Sequence, residues 1–279
     1  MANEITTTEA AAVIPEVWRR NVLKARYARQ VVVPRVGNVT QDIQKMGDIV
    51  HIPTMPQTLS INDVGSGGSL TNQAITITDT TLTIDRWKET TVDITDRSVV
   101  QSIVDLFREF SISFGDILAE HLDEQLLAEH SNITTNAVGG DQTLDDDLMT
   151  DAIRLLDDIP VPEDDRSWVF APIAKRDLMR LDKFVLANQT GMSKGLQING
   201  NFGEIYGAPV LTSSKVATSG GQRKNLYFHR EAIFIGIQRN IRFQKLAKTQ
   251  LSQKLVADLL YGIKTVRENH AVVVSTSSS

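Results

Sequence analysis

Between Thr54 and Ile84 the chain carries only two charged residues, Asp63 and Asp79, while Thr and Ser are abundant and the centre reads VGSGGSL. The simplest fold for such a stretch is two long strands joined by a flexible glycine-rich tip. In the returning strand Ile75 and Ile77 occupy odd positions, whereas Leu82, Ile84, Val92 and Ile94 occupy even ones. Strand side chains alternate with period two, so the apolar face flips along this strand. The flip demands either a bulge or kink near Thr78 to Thr81, or different burial partners for the two halves. A lone two-stranded ribbon is marginal in water. The arm must therefore lie on something outside its own core, another copy of the chain being one answer, or both strands must join a larger sheet of the same molecule.

The next segment has helical spacing. From Ser98 to about His130, apolar residues fall at Val99, Ile103, Leu106, Phe107, Phe110, Phe114, Ile117, Leu118, Leu122 and Leu126. No proline occurs between Pro56 and Pro160, and Asp96 or Ser98 can cap the start. The pattern predicts one strut-like helix of about 30 residues, roughly 45 to 50 Å long, with Gly115 as a point of bending.

Before the ribbon, a short helix is expected from Ala10 to about Tyr27, with Val17, Trp18, Val22 and Leu23 as its stripe. Strands are expected at Val31 to Val33 and at GDIVHIP, where Val50 and Ile52 share a face and Pro53 ends the run. After the long helix, the loop SNITTNAVGGDQT leads to a helix from about Asp145 to Ile159, whose first turn carries aspartates where the helix dipole favours anions. A strand at Trp168 to Phe170, a helix from Pro172 to about Ala187 and a surface loop from Asn188 to Gly203 follow. The C-terminal part returns to β structure: PVL, NLYF, AIFIGI, IRF, Leu255 to Val266 and AVVV, with QRN as a hairpin turn between AIFIGI and IRF. No internal repeat is visible.

A chain of 279 residues with 41% hydrophobic content supports one to three compact lobes. Its net charge of -5 argues against a broad grip on nucleic acid, which needs clustered Lys and Arg. Short basic pieces such as WRR, KARYAR and GQRK fit an acidic neighbour better than DNA. With no Cys, disulfides and thiolate chemistry are absent. The N-terminus does not read as a secretory signal, and no apolar run approaches the roughly 18 residues that span a bilayer. A soluble cytoplasmic product is expected.

Catalytic motifs are missing as well. The five His residues, 51, 121, 130, 229 and 270, show no metal-ligand spacing, and exposed or partner-bonded imidazoles are expected. GSGGS is followed by neither Lys-Ser nor Lys-Thr, GMSKG departs from the phosphate-loop spacing, and no GxSxG elbow occurs. Aspartates 145 to 147, 157 and 158, and the run Glu163 to Asp165, bracket a helix and linker where solvated carboxylates are ordinary. No catalytic residue, cofactor or metal site is expected.

The wording and order of five segments carry a resemblance. IPEVW near the start, GDIVHIP entering the arm, ITDRSV leading into the long helix, FGEIYGAPVLTSS in the middle and LYFHREAIFIGIQRNIRF near the end together cover nearly the whole chain. In that order they resemble the major capsid proteins of tailed bacteriophages, the Hong Kong 97 type of fold. The resemblance implies an α+β protein with an N-terminal arm and helix (1–47), an extended β-hairpin loop with its base strands (48–95), the spine helix of a peripheral domain (96–131), a mostly axial domain (132–227) and returning strands with the C-terminal tail (228–279).

It further implies a virion protein, assembled in the host cytoplasm, whose pentamers and hexamers form an icosahedral head around double-stranded DNA without sequence-specific binding and without a membrane. A portal and a separate scaffolding or decoration protein are the implied partners. About a hundred residues precede the spine, so no fused scaffolding domain is expected. Some relatives crosslink their shells through a Lys and an Asn; those positions are not both matched here, and a noncovalent shell is expected. Predicted inter-subunit contacts are Trp18, Leu59, Ile61, Val64, Leu70, Ile75 and Ile77. The competing readings are an encapsulin-like compartment shell, and a phage tail or surface-binding module.

Overall fold

The structure, a computed structural model, describes residues 30–43, 47–55, 61–64, 68, 73, 77–102, 105–134, 136–159, 161–181, 203–249 and 251–278. In chain order the first half contains β1 (Gly37–Asn38), α1 (Thr40–Ile43), β2 (Ile49–Thr54), β3 (Thr78–Thr83), β4 (Arg86–Thr95), α2 (Asp96–Gln101), α3 (Leu106–Ala128) and β5 (Ala137–Gly139). The second half contains α4 (Asp146–Asp157), β6 (Arg166–Phe170), α5 (Pro172–Leu178), β7 (Glu204–Ile205), β8 (Ala208–Thr212), β9 (Thr218–Ser219), β10 (Gln222–His229), β11 (Ile233–Thr249), β12 (Ser252–Thr265) and β13 (Ala271–Ser277). Among the described residues these strands form a four-stranded sheet (β1-β11-β12-β4), a seven-stranded sheet (β5-β13-β10-β6-β8-β7, with β9 on β10) and the β2-β3 ribbon.

Unbroken apolar runs mark strands covered on both faces. In β6, β10 and β13, Val169, Leu226, Phe228, Ala271 and Val273 enter one core with α3, while Trp168, Phe170, Tyr227, Val272 and Val274 enter another with α4 and α5. Period-two alternation thus feeds two cores from one sheet. In the second core, Trp168 stacks on Tyr227 at 3.9 Å between ring centroids. The α4 helix joins it through Leu148, Met149, Ala152 and Leu156, its start capped by the Asp145 carboxylate, which accepts from Leu148 N–H at 2.9 Å. The following turn is pinned by buried Arg166, which donates to Val161 O, Pro162 O and Asp157.

The α3 helix carries the first core through Phe114, Leu118, Leu122, Leu126 and Leu127. Its buried Asp123 reaches out of that core: its carboxylate accepts the amides of Val31 at 2.6 Å, Val32 at 3.2 Å and Val33 at 3.3 Å. Burial pushes its carboxyl above the usual range, although these amide bonds oppose that shift. The expected strand at Val31 to Val33 is accordingly replaced by a 3-10 turn, Val33–Arg35, with Pro34 in its first positions. Amides aimed together at one carboxylate cannot also pair with a neighbouring strand.

Other expectations are corrected in the same way. The long helix is broken: α2 is capped by Thr95 and ends at Ser102, whose backbone is extended (φ -77, ψ 135). The α3 helix restarts with the Asp105 side chain accepting Arg108 N–H. At 23 residues α3 is roughly 35 Å long. Gly115 lies inside α3, where an added Cβ would sit 3.7 Å from the Phe243 ring. The α5 helix stops at Leu178, well short of Ala187. QRN is no hairpin turn: β11 runs through it, with Ile235 opposite Ile263 and Phe243 opposite Ala257, and register shifts between Ile237, Arg239 and Arg242 absorb the extra residues. The turn lies instead where Thr249 faces Ser252. Pro53 sits within β2 opposite Asp79, and the strand ends one residue later at Thr54. His229 and His270 are buried, and His229 is partner-bonded as expected, its Nδ1 accepting the Glu231 amide. The N-terminal helix and the loop from Asn188 to Phe202 lie outside the described residues.

Two substitutions test this packing. Asp123→Ala leaves the amides of Val31, Val32 and Val33 without their acceptor and is expected to lower unfolding stability by about 2 kcal/mol or more. In Gly262→Ala the new Cβ would collide with the Thr83 carbonyl oxygen, and a loss of about 1–3 kcal/mol is expected. Urea unfolding of the purified chain measures both; unchanged midpoints would contradict the packing described.

Candidate assembly surface

The ribbon base is built on the chain's own core. Its β2-β3 register runs from Ile49 opposite Thr83 to Thr54 opposite Thr78 without interruption. On one face Val50, Ile52 and Leu82 join Val39, Ile43 and Ile84 in a small cluster. The other face carries His51, whose Nδ1 lies 2.5 Å from Asp79 Oδ2.

Because no bulge interrupts the pairing over Thr78 to Thr81, the first explanation of the face flip fails. The flip itself is present: Leu82 is 0% exposed, while Ile77 is 54% exposed. Further along the arm Val64 is 55% exposed and Ile61 98%. Among the described residues, these three apolar side chains past the ribbon base are thus largely exposed. Isolated exposed apolar residues are ordinary, whereas several on one arm make a candidate interaction surface. Leu59, Leu70, Ile75 and Trp18 lie outside the described residues.

A second exposed patch was missed by sequence reasoning. The four-stranded sheet turns Leu255, Ala257 and Leu259 of β12 toward α3. Its opposite face carries Trp87, which is 65% exposed. Asp258, which is buried there, accepts from Trp87 Nε1 at 3.2 Å, Arg239 at 3.2 Å and Arg242 Nε at 2.9 Å. Burial alone would raise the Asp258 carboxyl, but these donors outweigh it and hold the group below the usual carboxylate range. Trp87, Glu89, Arg242, Gln244, Val256 and Asp258 line a shallow open cavity here. Parity was the available signal: Trp87 is odd, whereas the buried residues Leu82, Ile84 and Ile94 are even.

The sequence finds no match among protein-family models or curated proteins. Solved structures do match, across nearly the full length. The chain aligns with a structure from Mycobacterium phage Che8 at a TM-score of 0.81 and 23% identity, covering 94% of this chain and 96% of that one. It aligns with the capsid of a native GTA particle at 0.78 and 10% identity, covering 100% of both chains. For the capsid of Cyanophage P-SCSP1u the values are 0.76 and 16%, with 100% of this chain and 97% of that one covered. The fold is therefore the mixed α+β fold of phage capsid structures. Among the described residues no helix is long and apolar enough to cross a membrane.

Asp258 provides a pH test of the sheet face. A carboxyl held below its ordinary value contributes stability above the unfolded pKa and loses it as pH falls through the folded one. Asp258→Ala is expected to lose about 1–3 kcal/mol at pH 7. The gap from the unsubstituted chain should narrow as the pH drops below the usual carboxylate range, as followed by urea unfolding across pH. A gap independent of pH would remove the carboxylate from this account.

Proposed function

We propose that the chain is a major capsid subunit of a tailed phage, a structural protein that self-assembles into pentamers and hexamers and closes an icosahedral head around double-stranded DNA. One observation carries the reading. Within a chain that has the fold of phage capsid structures over its whole length, a strand with uninterrupted pairing buries Leu82 at home and leaves Ile77 uncovered.

On this reading residues 48–95 are the extended loop with its base, 96–131 contain the spine of the peripheral domain, and 132–227 form most of the axial domain. Residues 1–47 form the N-terminal arm, and 228–279 the returning strands and tail. Ile61, Val64 and Ile77, together with Leu59, Leu70, Ile75 and Trp18, meet a neighbouring subunit. Each fully buried Ile contributes about 1.5–3 kcal/mol. That term repeats around every ring of a closed, heterologous assembly, whose interfaces bury roughly 2,000 Å² or more. The net charge of -5 suits a container whose lining must let packed DNA slide. A portal and a separate scaffolding or decoration protein are its partners, and it resides in the virion after assembly in the host cytoplasm.

The test is assembly of the overexpressed chain, seen by sedimentation and electron microscopy. The unsubstituted chain should form closed shells, whereas Ile61→Asp and Ile77→Asp should leave folded, soluble subunits with native circular dichroism. Normal shells from both variants would rule out the arm as an interface, and small rings or tubes from the unsubstituted chain would rule out the head.

A further inference from the structure

The strand register places two histidines side by side. Phe228 of β10 pairs with Ala271 of β13, so His229 and His270 are the next positions across the same ladder, just beyond its last pair. Both are buried, at 6% and 1% exposure, and their rings meet edge to face with centroids 5.8 Å apart. Glu231, in the turn from β10 to β11, completes the group: one ligand atom from each of His229, Glu231 and His270 lies within 4.8 Å of the others.

We propose that His229, Glu231 and His270 hold a divalent transition-metal ion, with zinc the best match. Two imidazoles and one carboxylate, with water as a fourth ligand, form a donor set that zinc takes in tetrahedral geometry. Neutral imidazole is the binding form, so no proton need be displaced near neutral pH. Burial favours that form, lowering His229 and pushing His270 down to about 4. Glu231 opposes both shifts by charge and Asp165 the one on His229; Arg267 reinforces both, Arg166 the one on His229, and His229 the one on His270.

Two contacts adjust on binding. Glu231 already accepts Arg267 on Oε2 at 2.9 Å, which fixes the carboxylate and leaves Oε1 to ligate. His229 Nδ1 accepts the Glu231 amide at 3.2 Å, a long bond that coordination through Nδ1 would replace. The ion would tie the start of β13 to the turn that leads from the seven-stranded into the four-stranded sheet, and so brace the seam between them.

The test is calorimetric titration of the EDTA-stripped full chain with zinc chloride at neutral pH, with magnesium chloride as control. One zinc and no magnesium should bind per chain. Glu231 is exposed, so Glu231→Ala leaves the core intact. It should weaken zinc binding by at least the roughly 10- to 100-fold that loss of an outer partner costs a metal site. His270→Asn should do the same, and a visible cobalt spectrum of the unsubstituted chain should vanish in both variants. Absence of saturable zinc uptake by the unsubstituted chain overturns the proposal, as does uptake unchanged in Glu231→Ala, whether or not His270→Asn folds.

Discussion

The α3 helix is the element on which both sheets close. Its apolar stripe from Phe114 to Leu126 shares one core with residues of β6, β10 and β13 and with Leu255, Ala257 and Leu259 of β12. Polar groups at the edges of this stripe are tied down individually. Asp123 takes the amides that enter the 3-10 turn. His121 Nε2 lies 3.0 Å from the Tyr261 hydroxyl, and Glu129, just past the helix, accepts from Asn132 and Thr265 and pairs with Arg86. A buried polar group left unmade costs more than a made one gains, so these contacts fix where the segments can sit. A helix that orders elements distant in sequence gives a subunit its rigid body.

The ribbon follows the opposite logic. Its base is anchored by Leu82 and Ile84 against Val39 and Ile43, and beyond that anchor the described apolar residues Ile61, Val64 and Ile77 stand exposed. A rigid body with an uncovered arm suits association, because the free energy withheld from the monomer becomes available only when a second surface arrives. Trp87 stands exposed over the Asp258 staple on one face of the four-stranded sheet, while Leu260 and Phe234 on that face pack under α1 and the ribbon base.

Junctions between the sheets concentrate the remaining polar groups. The seven-stranded sheet hands the chain to the four-stranded one between His229 and Ile233 and receives it back between Thr265 and Ala271. Residues at both crossings meet in the His229, Glu231 and His270 group, and Arg267 and Glu231 pair at 2.9 Å beside it. Ladder register, which is set by the apolar pairs deeper in the sheet, brings these side chains together without any local sequence signal.

Sequence alone determined what depends on short-range periodicity. The apolar runs WVF, LYF and AVVV read as strands, α4 as a helix with aspartates in its first turn, and the parity change between Ile77 and Leu82 was legible in the order of residues. Tertiary structure decided whatever depends on a distant partner. Val31 to Val33 became a turn because an acceptor 92 positions away claimed the Val31 amide. QRN stayed extended because β12 supplied partners on both sides of it, and the helix broke at Ser102, where Asp105 offered a new cap. The two buried histidines became neighbours only through strand register. A local pattern specifies which face a residue shows; the group it meets there is chosen by the whole chain, since buried hydrogen-bonding groups must all be satisfied at once.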